Sequence, residues 1–236
     1  MVSAKNETAE QSFFRTALII FLRYPEPGKV KTRLAAKVGD KAAADFYKAC
    51  TEYIIQVTRF ANAYITRYVY YSEPNDRERI AQWLGKSYSL HQQCGDGLGE
   101  RMKDAFETAM SNGAARAIII GTDAPDITGD ILEHALLQLE TSDVVVGPAF
   151  DGGYYLLGLN CMYPGLFEGI TWGSDNVFEK TMDKIQSDNL RFYLLPMLHD
   201  IDNVTDLANW VNNTSADHPL YAAALRTLNS GGSDSQ

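Results

Sequence analysis

Three short apolar runs constrain this chain most: residues 17–22 (ALIIFL), 116–121 (RAIIIG) and 143–147 (DVVVG). Each has the length and branching of a strand and leaves no polar face. Such a strand belongs inside a sheet covered on both sides, as parallel sheets are. Between the runs lie segments of helical length. Residues 40–60 place Ala43, Phe46, Tyr47, Cys50, Tyr53, Ile54 and Val57 at helical spacing, which predicts a long amphipathic helix. Shorter helices are predicted over 74–84, 98–110, 128–139, 175–186, 205–211 and 219–228, with further strands over 63–71, 88–92, 154–159 and 191–195. Strands alternating with helices mean an α/β domain. Residues 13–228 read as one domain, with the polar stretch 1–12 and the low-complexity tail 229–236 as disordered ends.

The first strand runs into residues 23–33, RYPEPGKVKTR. Pro25, Pro27 and Gly28 break regular structure, Lys29, Lys31 and Arg33 follow at every second position, and a helix-like sequence begins near Thr32. A strand emptying into a stiff, basic, Gly-containing loop before a helix suits an anion, because backbone N–H groups and fixed cations converge. The same stretch also reads as a solvated basic turn.

Composition narrows the ligand. The chain has 236 residues and a net charge of −9, so a nucleic-acid polymer or an anionic membrane is not expected as the main partner. Residues 15–38 nevertheless carry six cations against Glu26 alone. A local positive excess in an acidic protein points to a compact anion. Cys50, Cys94 and Cys161 are scattered, which predicts reduced thiols in the cytosol and neither disulfides nor a zinc site. No apolar run approaches the length of a membrane span, and the N-terminus does not resemble a signal peptide.

In open α/β sheets, ligands bind beyond the carboxyl ends of the strands. The basic loop, Asp123, Asp151, and Asp200 with Asp202 each follow a predicted strand, so distant motifs are expected to meet at one edge. Cations beside carboxylates suit a metal–nucleotide complex: lysine, arginine and backbone donors hold the diphosphate, and one or two carboxylates hold Mg2+ or Mn2+. Asp123 is expected as a metal or ribose ligand, although it also reads as a cap of the helix near Thr128; Asp126 reads as that cap. Asp151 before Gly152 and Gly153 reads equally as a site and as an ordinary turn. Asn203 or Thr205 reads as the cap of the next helix. The loop 94–101 (CGDGLGER) could border a base or ribose pocket, with Gly97 and Arg101 nearby, but it lacks the Rossmann pattern, and the chain has no Walker motif. Trp172 reads equally as a wall of an acceptor pocket and as a core anchor. His91, His134, His199 and His218 stand apart and read as structural or surface residues.

YPEPGKVKTRLA, LGERM, GTDAPDIT, GPAFDGGYYLLGL, LFEGITW and DIDNVTDL, in this order over residues 18–210, resemble the bacterial glycosyltransferase-like, or nucleotide-diphospho-sugar transferase, family, one branch of which is attributed to arsenosugar biosynthesis. The resemblance implies the GT-A fold, a three-layer α/β/α domain with a mostly parallel, seven-stranded sheet, and a site for a nucleotide or nucleotide-sugar with a divalent metal. Lys31-Thr32-Arg33 is similar to the phosphate-binding loop of the guanylyltransferases of the same superfamily, and the string at 200–207 to a metal-proximal motif of cytidylyltransferases. The chain departs from both groups: Tyr24-Pro25-Glu26-Pro27-Gly28 replaces a run of small residues, and the acids of Asp123-Ala124-Pro125-Asp126 are three positions apart rather than two.

The expected activity is therefore a metal-dependent transferase with a nucleotide-diphospho-sugar donor and a small-molecule acceptor. Nucleotidyl transfer with pyrophosphate release and a non-catalytic nucleotide-binding module are the alternatives. Lys31, Arg33, Asp123 and Asp151 are the expected catalytic set. Pro27, Gly28, Lys29, Lys31, Thr32, Arg33, Gly97, Arg101, Thr122 and Asp123 are expected on the nucleotide and its phosphates. Asp151, Gly152, Gly153, Tyr154 and Trp172 are expected on the acceptor side, and Asp123 and Asp202 on the metal.

Overall fold

The computed structural model describes residues 16–59, 65–85 and 88–231. Seven strands form one sheet in the order β3-β2-β1-β4-β6-β5-β7: β1 (Thr16–Leu22), β2 (Ile65–Tyr71), β3 (Ser89–Gln92), β4 (Arg116–Ile120), β5 (Val144–Pro148), β6 (Tyr154–Leu159) and β7 (Phe192–Leu194). All run parallel except β6, which lies antiparallel between β4 and β5. The helices are α1 (Thr32–Val38), α2 (Asp40–Val57), α3 (Arg77–Leu84), α4 (Leu98–Ser111), α5 (Gly129–Gln138), α6 (Val177–Ser187), α7 (Val204–Asn213) and α8 (Tyr221–Ser230).

Alternation along β1 divides the core. Leu18, Ile20 and Leu22 face one side, with Ile54 and Ile55 of α2, Ile80 of α3 and Leu132 of α5. Ala17 and Ile19 face the other, with Met102 and Phe106 of α4 and Ile185 of α6. This is the three-layer arrangement that doubly apolar strands require. A third cluster clamps α2 from outside: Leu34 and Val38 of α1, Trp210 of α7 and Ala224 of α8 pack around Phe46 and Cys50.

Some boundaries differ from those the sequence predicts. Thr128, not Asp126, caps α5 by accepting from the Ile131 amide. Asp126 instead accepts from the indole N–H of Trp210 at 2.9 Å. Asn203 caps α7 in a reciprocal box with Asp206. The last helix runs through Asn229 and Ser230, two residues expected in the tail. The predicted N-terminal disorder over 1–12, the first two residues of the predicted strand 63–71, and residues 232–236 lie outside the described residues.

Asp143 fastens the far end of the sheet. It accepts from the Arg191 amide at 2.9 Å, from the Arg191 guanidinium at 2.8 and 3.1 Å, and from Asn160 Nδ2 at 3.1 Å. Donation from Arg191, above all, holds its carboxyl well below the ordinary carboxylate range. A depressed folded-state pKa contributes stability that is fully present above the unfolded value, about 3.9, and is lost as pH falls through the folded one. Asp143→Asn should therefore melt earlier than the wild type at neutral pH, with the gap narrowing in acid; melting curves across pH check this.

Candidate functional site

The loop after β1 is fixed before it reaches its cations. The Arg23 amide donates to the buried Tyr47 hydroxyl at 2.9 Å, and Thr122, beyond β4, donates to the same oxygen at 3.3 Å. One tyrosine of α2 thus ties together the loops that follow β1 and β4. Farther along, the Arg79 guanidinium lies 3.7 Å from the centre of the Tyr24 ring and bonds Glu26 at 2.8 Å and Asp76 at 2.9 Å. Lys29 pairs with the other oxygen of Glu26 at 3.2 Å. Donation from Arg79 and then Lys29 lowers the Glu26 pKa.

Lys31 is the centre of the arrangement. Its backbone is left-handed, with φ 48°, at the start of α1, a conformation costing a non-glycine residue about 1 kcal/mol. The side chain is 5% exposed, and its Nζ lies 2.9 Å from Asp123 Oδ1 and 3.1 Å from Asp202 Oδ1. Burial opposes the charge, but the two carboxylates more than reverse that, and the Lys31 pKa is raised above the ordinary lysine value. Its nitrogen is therefore held as an ammonium between the two carboxylates.

Both carboxylates are held from behind. The Asp123 carbonyl accepts from the Ile201 amide at 3.1 Å, joining the segment after β7 to the loop after β4. The amides of Asp202 and Asn203 both donate to Asp206 Oδ2 at 3.0 Å. Asp123 Oδ1 is sealed against Lys31, yet the side chain is 49% exposed, so its other oxygen faces the open side. Asp202 Oδ2 lies 3.7 Å from Arg33, whose side chain is 79% exposed.

The remaining expected residues divide. Asp151 takes up a turn, accepting from the Gly153 amide at 2.8 Å, beside the same edge. Gly152 has φ +87°, its carbonyl accepts from the Phe178 amide, and an added Cβ would stand 1.8 Å from the Asp175 carbonyl oxygen. Burial first, then the carboxylates of Asp151 and Asp202, push the Asp200 carboxyl up to about 6. Pro27, Gly28 and Thr32 are exposed along the basic loop and the start of α1, whereas Lys29 is engaged with Glu26. Arg101 turns back on its own loop, donating to the Gly95 carbonyl at 2.9 Å; Gly97 caps α4.

Three of the expected residues are engaged within the fold. Thr122, expected on the nucleotide, is buried and spends its hydroxyl on Tyr47. Tyr154 and Trp172, expected on the acceptor side, pack edge to face against one another over the core beneath α4. Trp172 covers Gly99, where an added Cβ would stand 2.2 Å from the indole nitrogen. Large aromatics in a Gly-flanked loop carry no sequence signal for which way they turn. Tyr47, Arg79 and Asp206, which position the loops, do not stand out in the sequence; only the i+3 spacing from Asn203 to Asp206 could have revealed the last.

Among the described residues no group of three or more His, Cys, Asp or Glu side chains forms a ready cation cage. Asp123 and Asp202 still fit a hard divalent ion, because they are oxygen donors and a magnesium-type ion needs only one or two carboxylates besides phosphate oxygens and water. The carboxylates around Lys31 and Asp200 leave negative charge there that such an ion would offset. A groove of about 590 Å³ between α2 and α8, lined by Phe46, Ala49, Ala223 and Arg226 among others, includes none of these residues.

Residues 56–174 match the family described as uncharacterized protein conserved in bacteria (DUF2064). The chain is 34% identical to a proposed nucleotide-diphospho-sugar transferase from Desulfovibrio desulfuricans G20, over 92% of this chain and 96% of that one, with a TM-score of 0.85. A cytidylyltransferase from Leptospira borgpetersenii serovar Hardjo-bovis shares the fold at 16% identity, over 93% and 96% of the two chains, with a TM-score of 0.51. The bifunctional IspDF of Campylobacter jejuni shares it at 11% identity, over 82% of this chain and 53% of that one, with a TM-score of 0.53. No curated protein matches. The fold is thus of the nucleotide-diphospho-sugar transferase type that the motifs imply.

Gly152→Ala should cost about 2–3 kcal/mol, since backbone lies where its methyl would go and the left-handed φ disfavours a side chain. Denaturant melts check this.

Proposed function

The chain belongs to the DUF2064 family, and we propose that it is a metal-assisted transferase whose donor is a sugar carried on a nucleoside diphosphate. The observation that supports this most is the buried Lys31 ammonium, braced by Asp123 and Asp202 with Arg33 exposed beside it. The name of the Desulfovibrio relative points the same way.

In this reading Lys31 supplies fixed positive charge where the diphosphate leaves, and Arg33 offers a planar fork of donors to its oxygens. Asp123, through its outer oxygen, and Asp202 would hold Mg2+ or Mn2+, which when bound would neutralise charge building on the diphosphate. Catalysis is then mainly electrostatic: the donors are set before the charge appears and need no reorganisation. Asp151 lies on the acceptor side, placed to orient a hydroxyl or accept its proton. A net charge of −9 does not suit a nucleic-acid acceptor. No helix among the described residues is long and apolar enough to cross a membrane, and Cys50, Cys94 and Cys161 are free thiols, which fits work in the cytoplasm.

The test is a panel of sugar nucleotides and nucleoside triphosphates, each with Mg2+ or Mn2+, read first as melting shifts and then as products. A ligand at a hundredfold its Kd stabilises by about 2.7 kcal/mol, enough to see. The expected result is a metal-dependent shift with one sugar nucleotide, followed by release of its nucleoside diphosphate. Chelation should abolish release and added metal restore it. Lys31→Met and Asp123→Asn should each lower turnover by about 10²–10³-fold. Pyrophosphate release from a triphosphate would replace this reading with nucleotidyl transfer, and binding without turnover would replace it with a binding module.

A further inference from the structure

The carboxyl edge of the sheet has two chemically different halves. On the side of β1 lie Lys31 and Arg33. On the side of β5 and β7, the segments 149–153, 170–176 and 198–201 hold Asp151, Asp175 and Asp200 and no lysine or arginine. In that second half the Phe150 ring stacks on the His199 imidazole, with centroids 3.9 Å apart and planes 9° apart. The pair is fixed by backbone, since the Phe150 amide donates to the Leu198 carbonyl at 3.1 Å and Ala149 bridges Leu198. Phe150 is nevertheless 58% exposed. A large apolar ring on an anchored backbone, covered on one face by an imidazole and open otherwise, beside Asp151 and Asp200, has the form of a platform rather than of a core residue.

We infer that Phe150 and His199 form the acceptor platform of the proposed transferase, and that the acceptor is an uncharged, ring-bearing polyol and not a phosphorylated compound. The inference rests on the transferase reading for the word acceptor. The C–H face of a polyol ring lies flat against an aromatic π face, and its hydroxyls donate to carboxylates, which only accept when ionised. A phosphate in this half would meet like charge, with the cations engaged on the donor side. The donor's anionic end and the acceptor are thereby sorted to opposite halves by charge.

The experiment is saturation-transfer NMR on the full chain with methyl β-glucopyranoside, methyl β-ribofuranoside and myo-inositol as probes, each against its monophosphate. At least one neutral probe should receive saturation at its ring C–H protons, and its phosphate should receive less. Phe150→Ala should weaken that signal by about five-fold, the equivalent of one aromatic contact, and Phe150→Tyr should restore it. Phosphates binding as well as the neutral probes, no saturation of any neutral probe, or a signal unchanged in Phe150→Ala would each overturn the inference. The sugar-nucleotide melting shift, measured on the same samples, also reports folding of the variants. A retained shift with no polyol signal removes only the acceptor assignment, and a missing shift with a Phe150-dependent polyol signal removes the nucleotide reading instead.

Discussion

A buried ammonium is the constraint on which the rest of this edge depends. Taking a lysine out of water costs several kcal/mol unless its charge is met. Lys31 is met twice, by Asp123 and Asp202, and these come from loops after different strands. The surrounding contacts serve that meeting. Tyr47 joins the loops that carry Arg23 and Thr122, the Asp123 carbonyl binds the Ile201 amide, and Asp206 gathers the amides of Asp202 and Asn203. The left-handed backbone at Lys31 is tolerated because the ion pairs reward it.

Electrostatic asymmetry follows from the order of strands. The basic loop leaves β1, whereas Asp151 and Asp200 of the other half follow β5 and β7, on the far side of β4 and β6. Asp123 and Asp202 stand between the two, sharing one cation. In a chain with net negative charge, the Arg33 guanidinium is exposed beside this shared cation, which suits a small anion better than a polymer.

Much of this was legible in local sequence. Doubly apolar runs marked β1, β4 and β5, and the residues after them were expected at one edge because parallel strands bring their carboxyl ends together. What could not be read was direction and pairing. Nothing local in YYLLGL says that β6 runs antiparallel between β4 and β5, since each of its faces is apolar in either orientation. The same limit applies to caps and aromatics. Asp126 and Thr128 compete for one helix start, and the indole of Trp210, 84 residues away, decides between them. Trp172 turns inward because Gly99 leaves room for it, a vacancy visible only in three dimensions. The stacked pair of Phe150 and His199 comes from segments after two different strands, so neither residue looked notable alone.

The separation of 171 residues between Lys31 and Asp202 also bears on the order in which the molecule is assembled. Strands β1, β2 and β3 are neighbours made from the first half of the chain, and synthesis delivers them early. Asp202 arrives only after β7, so a growing chain holds Lys31 with at most one of its counter-charges. Closing a contact of that span carries a large loop-entropy cost, which long-range pairings must meet before they gain anything. The ion-pair arrangement at this edge is therefore completed late, after the sheet is complete, and a partly made chain would hold Lys31 with only one of its two carboxylate partners.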